Sequence, residues 1–180
     1  MIVFITGGAK NGKSSYAQEL AVRLAAGGTR YYLATMIPVD EEDRERIRRH
    51  IADRDGMGFE TIEQGRHILE ALDKCDREAS FLLDSTTALL MNELFVPPDW
   101  HLDEAAGARC AAEVVQFAKS VKNIVLVSDY IYSDAQLYDA VTESYRKGLA
   151  AIDRAVAAVS DVVLEMSGGN LILHKGVLPQ

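Results

Sequence analysis

The chain has 180 residues, 48% of them hydrophobic, and a formal net charge of -8. That length and apolar content suffice for one domain spanning residues 1–180 with a two-layer or three-layer core, and no linker rich in Pro, Gly or Ser and no internal repeat divides it. The acidic balance excludes a nucleic-acid footprint, which needs clustered Lys and Arg; no apolar run reaches membrane-spanning length and the apolar N-terminus is too short for a signal-peptide core, so the expectation is a cytoplasmic protein without membrane insertion.

Ile2-Val3-Phe4-Ile5 is the first predicted strand, and it delivers Gly7-Gly8-Ala9-Lys10-Asn11-Gly12-Lys13-Ser14, a G-x-x-x-x-G-K-[ST] phosphate-binding loop. A helical pattern leaves the loop: Ala17, Leu20, Ala21 and Leu24 share one face, and Gly27-Gly28 supplies the stop. In this context successive backbone N–H groups and the helix N-terminus converge on one anion. Gly7 and Gly12 permit the backbone angles and close approach the loop needs. Lys13 is expected to reach the terminal phosphates and Ser14 to ligate Mg²⁺.

Tyr31-Tyr32-Leu33-Ala34 reads as the second strand. The segment Asp40-Glu41-Glu42-Asp43-Arg44-Glu45-Arg46-Ile47-Arg48-Arg49-His50 follows, acids first and arginines last. Two accounts of it are open. The ordering complements a helix dipole and supports i,i+4 ion pairs on a solvated helix. At helical spacing, however, Arg46, His50 and Arg54 share a face; cations on either side favour the neutral, nucleophilic imidazole, and the arginines can neutralise phosphate oxygens.

A weaker strand is placed at Phe59 to Ile62, and a buried one at Phe81-Leu82-Leu83, ending on Asp84. An acid at that position is the expected partner of a phosphate loop, holding the metal directly or through water. It is equally placed to cap a helix beginning near Ser85, and the two roles are compatible. Further on come a helix over Asp103 to Ser120, a strand at Ile124-Val125-Leu126-Val127, and a long helix over Asp134 to Val159, where Leu137, Val141, Tyr145, Leu149, Ile152, Val156 and Val159 advance by fours and threes. Val162 to Met166, Ser167-Gly168-Gly169-Asn170 and Leu171 to His174 read as a hairpin, which places the last strand antiparallel on the sheet edge. Strand and helix alternate, so the expected fold is α/β with a mostly parallel sheet and functional loops at its carboxyl edge.

Cys75 and Cys110 lack metal-ligand spacing and are taken as reduced and structural. His67, His101 and His174 show no metal-type pairing and read as surface or packing residues. Trp100 fits either a lid element or a packing anchor.

Taken together these pieces resemble the bifunctional adenosylcobinamide kinase / adenosylcobinamide-phosphate guanylyltransferase (CobU-type) family. The matching segments are Ile5 to Ser14, Leu33-Ala34-Thr35, Arg46-Ile47-Arg48-Arg49-His50, Phe59-Glu60-Thr61-Ile62-Glu63 where the family usually has Trp-x-Thr-x-Glu, Leu82-Leu83-Asp84 with Thr87 and Asn92 downstream, Tyr145-Arg146, and Met166-Ser167-Gly168. The resemblance implies a three-layer P-loop NTPase (RecA-like) fold. It also implies phosphorylation of adenosylcobinamide by ATP or GTP, and then transfer of GMP from GTP through a phosphoramidate on His50, giving adenosylcobinamide-GDP. By the same resemblance Ala34, Thr35, Met36, Arg46, Arg54 and Glu63 join the loop in holding the nucleotide, Mg²⁺ is the cofactor, a cobinamide-type corrinoid is the partner, and the assembly is a homotrimer. Two departures stand out: Ser128-Asp129-Tyr130-Ile131-Tyr132 where the family typically reads Thr-Asn-Glu-Val-Gly, and Asp153-Arg154 where it often has Asn-Gln. The rival functions are a P-loop small-molecule kinase in which His50 is only a helix-surface residue, and a nucleotide-dependent regulatory module; the absence of an N-K-x-D guanine-reading motif counts against the latter.

Overall fold

The continuous apolar runs become strands buried on both faces, and all of them join one sheet. The computed structural model describes residues 1–96, 98–132 and 134–178. β1 (Ile2–Gly7) leads through the glycine-rich loop to α1 (Lys13–Ala25), β2 (Arg30–Ala34), α2 (Glu41–Asp53), β3 (Glu60–Glu63), a 3-10 turn (Ile68–Asp73), β4 (Ser80–Asp84) and α3 (Thr86–Leu94). The short β5 (Phe95–Val96) and β6 (His101–Leu102) pair with each other, and α4 (Ala106–Ser120), β7 (Asn123–Val127), α5 (Ala140–Val159), β8 (Val162–Ser167) and β9 (Asn170–Lys175) complete the order. The main sheet runs β3-β2-β4-β7-β1-β8-β9. Its pairs are parallel except β8 with β9, the C-terminal edge hairpin.

Alternation along each strand divides the core in two. Val3, Ile5, Leu82, Val125, Val127 and Leu164 pack with Ala17, Leu20 and Ala21 of α1. Phe4, Leu33, Phe81, Leu83, Ile124 and Leu126 face the other way, toward α3, α4, α5 and the 3-10 turn. The result is three layers, helix on sheet on helix. α2 belongs to neither core: it buries no residue, whereas every other helix described does.

Two helices start later than their periodicity predicts. α5 begins at Ala140, not Asp134, because Asp139 caps it, accepting the Thr142 N–H at 2.9 Å. The Asp134 carboxylate is spent on Arg146 and the Tyr138 hydroxyl, and Leu137 is 95% exposed, so its fit to the apolar stripe was fortuitous. Asp103 likewise turns its carboxylate to the Ala105 N–H and to Arg109, and α4 starts after it. Both cysteines are free, and burial pushes the Cys110 thiol up to about 12, which makes it inert. His67, His101 and His174 lie on the surface. Trp100 is 59% exposed. Among the described residues no helix is long and apolar enough to cross a membrane.

α4 and α5 meet at two glycines: a Cβ on Gly107 would lie 2.6 Å from the Gly148 Cα, while one on Gly148 would meet the end of Leu90 at 3.2 Å and the Gly107 Cα at 3.3 Å. Gly107→Ala therefore pushes on backbone and Gly148→Ala mostly on a side chain that can turn. Urea denaturation is expected to show Gly107→Ala destabilised by about 1–3 kcal/mol and Gly148→Ala by less. Equal costs would mean the helices separate freely.

Candidate active site

Register brings the site together. Cα pairing sets Glu63 beside Ala34, Ala34 beside Asp84, Asp84 beside Val127, and Val127 beside Ile5, two residues before the glycine-rich loop. The carboxyl ends of β3, β2, β4, β7 and β1 thus form one row, and a cleft of about 1060 Å³ opens above it. Ala9, Lys10, Asn11, Gly12, Lys13, Ser14, Ala34, Thr35, Met36, Arg46, His50, Arg54, Glu63 and Asp84 all line it. Of the predicted residues only Gly7 and Gly8 stand back from the cleft. Gly7, at φ 150, serves packing instead, since a Cβ there would sit 2.3 Å from the Met166 carbonyl oxygen.

α1 starts at Lys13, with Gly12 at φ 85 as an N-cap that has no side chain to satisfy the first N–H groups. The Lys13 side chain is only 5% exposed, and its Nζ donates to the Gly8 carbonyl at 2.6 Å and to Asp129 Oδ1 at 2.5 Å. Asp129 also lines the cleft. Sequence reasoning noted it only as a departure, although the rule that selected Asp84, an acid just past a buried strand, selects Asp129 as well.

Asp84 is not a cap. Ser85 occupies the N-cap of α3, and the Asp84 carboxylate turns instead to the Tyr32 phenol, which donates at 3.4 Å, with the Ser14 hydroxyl near enough to favour its charge. Burial pushes this carboxyl above the usual range, an effect opposed by the nearby His50 and by the Ser14 hydrogen bond and reinforced by Asp129. A carboxylate that burial makes costly to ionise gains most from a cation. Ser14 and Asp84 are the hard oxygen donors placed to share one. The Tyr32 hydroxyl is held above its ordinary value, chiefly by burial and then by Asp84, and so stays a donor.

α2 forms the opposite wall. Asp40 caps it by accepting the Asp43 N–H at 2.9 Å, and Arg54 ends it. The expected arrangement, His50 flanked by Arg46 and Arg54, forms only in part. Arg54 donates to the His50 carbonyl at 2.7 Å, not toward its ring, and to Thr61 Oγ1 at 3.2 Å, with its guanidinium 4.0 Å over the Tyr32 ring. It therefore moors α2 to β2 and β3. His50 is half-buried, and its Nδ1 is enclosed without a hydrogen-bond partner. Arg48 is held by Glu41 and Glu45, while Arg46 and Arg49 make no ion pair among the described residues and leave two cations facing the acidic floor. The Thr35 hydroxyl donates to the Ser85 carbonyl at 2.9 Å and accepts the Ser85 N–H at 3.1 Å, so it clasps β2 to the start of α3 and is not spare for a nucleoside.

A family model described as cobinamide kinase / cobinamide phosphate guanyltransferase matches residues 3–173. The bifunctional adenosylcobalamin biosynthesis protein CobU of Escherichia coli is 24% identical over 179 residues, covering 93% of this chain and 97% of its own. Its namesake in Salmonella typhimurium is 28% identical over 184 residues with the same coverage. Among solved structures, a KaiC-like protein of Pyrococcus horikoshii superposes with a TM-score of 0.55 at 11% identity, covering 97% of this chain and 78% of that one. Such a likeness speaks for the fold alone, and the fold is the P-loop NTPase (RecA-like) one.

Behind the Lys13–Asp129 pair lies a second acid. Asp153 of α5 is 4% exposed; Oδ2 accepts the Tyr132 hydroxyl at 2.8 Å, while Oδ1 and the neighbouring Ser128 hydroxyl are buried without a well-formed hydrogen bond. Burial, with a contribution from Asp129, pushes its carboxyl up to about 6. Between the unfolded value of 3.8 and about 6 the folded state holds the extra proton, so stability falls as pH rises through that window and stays lower at neutral pH. Asp153→Asn, which cannot ionise, is expected to match wild type near pH 4 and to exceed it at pH 7.5 by up to about 3 kcal/mol in chemical denaturation. Parallel stability curves for the two proteins would show that no buried charge is being formed.

Proposed function

The chain belongs to the cobinamide kinase / cobinamide phosphate guanyltransferase family, and from that premise we propose that this cleft performs two transfers. First, the terminal phosphoryl group of ATP or GTP passes to the hydroxyl of the aminopropanol arm of adenosylcobinamide. GMP then passes from GTP to His50, releasing pyrophosphate, and from His50 to the new phosphate, giving adenosylcobinamide-GDP. Both curated relatives are named for adenosylcobalamin biosynthesis, and the family description names both activities.

The observation that carries this reading is that the phosphate loop and His50 line the same cleft. A plain kinase needs only the loop. Lys13 and the N–H groups of the first turn of α1 hold the triphosphate tail, a grip that supplies most of what phosphoryl transfer requires. Ser14 and Asp84 would hold Mg²⁺, which when bound neutralises charge on the phosphate oxygens. His50 attacks the α-phosphorus through the ring nitrogen that is not enclosed, and Arg46 neutralises oxygens of the same phosphate. Glu63, Ala34, Thr35 and Met36 line the cleft along the row of strand ends, which supports their holding the nucleoside. A cytoplasmic homotrimer with sites at subunit boundaries completes the proposal.

GTP labelled at the α-phosphate is expected to leave acid-labile, base-stable label on the wild-type protein, and at least about a hundredfold less on His50→Ala. Equal labelling of both proteins would remove His50 as the nucleophile and leave a kinase alone.

A further inference from the structure

We propose that Asp129 is the proton acceptor in the phosphoryl-transfer step, an inference that rests on the kinase half of the function above. Asp129 stands two residues beyond the end of β7, the strand lying between the loop-bearing β1 and the Asp84-bearing β4. The Ser128 N–H donates to the Ile5 carbonyl at 3.0 Å, which ties the chain just before Asp129 to the root of the phosphate loop. Downstream, the buried Arg146 donates to the Ile131 carbonyl at 3.2 Å and so fixes the far side of the same turn.

The Asp129 carboxylate meets Lys13 Nζ at 2.5 Å, and its side chain keeps 27% of its surface exposed toward the cleft. In a loop of this type the ammonium belongs to the terminal phosphate oxygens when a triphosphate binds. Those oxygens and the Asp129 carboxylate are rivals for one cation. Binding therefore releases the carboxylate, which is left within a side chain's reach of the phosphate that displaced it. Asp84 is less suited to the task, because the Tyr32 phenol already engages it and, with Ser14, it is the donor that would hold Mg²⁺.

The step balances with groups in hand. The acceptor hydroxyl oxygen forms a bond to the terminal phosphorus as the bond from that phosphorus to its bridging oxygen breaks. The nucleoside diphosphate leaves with the electron pair, and the hydroxyl proton passes to the Asp129 carboxylate and then to solvent. Lys13 stays protonated throughout.

Asp129→Asn keeps the side chain's size while removing both the proton acceptor and the rival anion, so it moves two readouts in opposite directions. Binding of Mg-GTP, measured by calorimetry, is expected to tighten several-fold. Turnover in phosphorylating cobinamide is expected to fall by about 10²-fold or more, the usual reach of general-base catalysis. Asp129→Glu, which retains a carboxylate, is expected to recover at least about tenfold over the Asn variant. A residue that only held the loop in shape would lose binding and turnover together. That joint loss, or turnover of Asp129→Asn within about threefold of wild type, overturns the inference. Failure of the wild-type protein to phosphorylate cobinamide overturns the kinase function itself, and the role of Asp129 falls with it.

Discussion

The parallel register of β2, β4, β7 and β1 is the constraint on which the rest depends. Parallel strands in register end together, and here the shared end puts Ala34, Asp84 and Val127 in one line with the root of the glycine-rich loop. Asp84, on the cleft floor, is then placed by the backbone hydrogen bonds of the sheet. Lys13 begins α1 at the far end of the glycine-rich loop that leaves that line, and Asp129 stands two residues past it. A one-residue slip in any of these strands would turn its side chains to the opposite face, so the two cores that clamp the sheet also fix the chemistry.

Electrostatics follows from the same line. The chain carries a net charge of -8, yet the cleft is proposed to admit triphosphates, which are strongly anionic. The molecule answers locally: the buried ammonium of Lys13 and the first turn of α1 face inward, and α2 presents arginines across the gap. Asp84 and Asp129 on the floor oppose anion binding unless each finds a cation, which favours bringing metal and nucleotide in together. The floor thus selects for a charge pattern, not simply for negative charge.

Much of this was legible in the residues because the fold is made of strands covered on both faces, and such strands announce themselves as unbroken apolar runs. Phe81-Leu82-Leu83 sends alternate residues to opposite cores, so no polar gap interrupts it, and the acid that closes it reads as a site residue. Periodicity misled where polar side chains outvote it. Leu137 continues the α5 stripe on paper, yet Asp139 caps the helix behind it and Arg146 holds Asp134 outside it. Arg54 misled differently: its position on the helix was right, but as the terminal residue it was free to turn back on the His50 carbonyl. Asp129 escaped because it was compared with a family pattern when it belonged with Asp84, by the rule of strand ends.

α2 shows what the layered scaffold leaves unsettled. A helix that buries nothing is tied to the sheet at one end, by Arg54 against Tyr32 and Thr61, while the Asp40 cap only closes its own first turn. Displacing it breaks a few polar contacts of Arg54, worth about 1 kcal/mol each, whereas displacing α1 would open the core. The helix behind the glycine-rich loop is accordingly rigid, and the imidazole proposed as the nucleophile rides on the one helix described that buries no residue. For a cleft asked to transfer first a terminal and then an internal phosphate of a triphosphate, that division is apt: one group holds the tail fixed while the other can approach. The Arg54 guanidinium, bonded to the carbonyl of His50 and to Thr61, ties the histidine's end of that helix to the sheet.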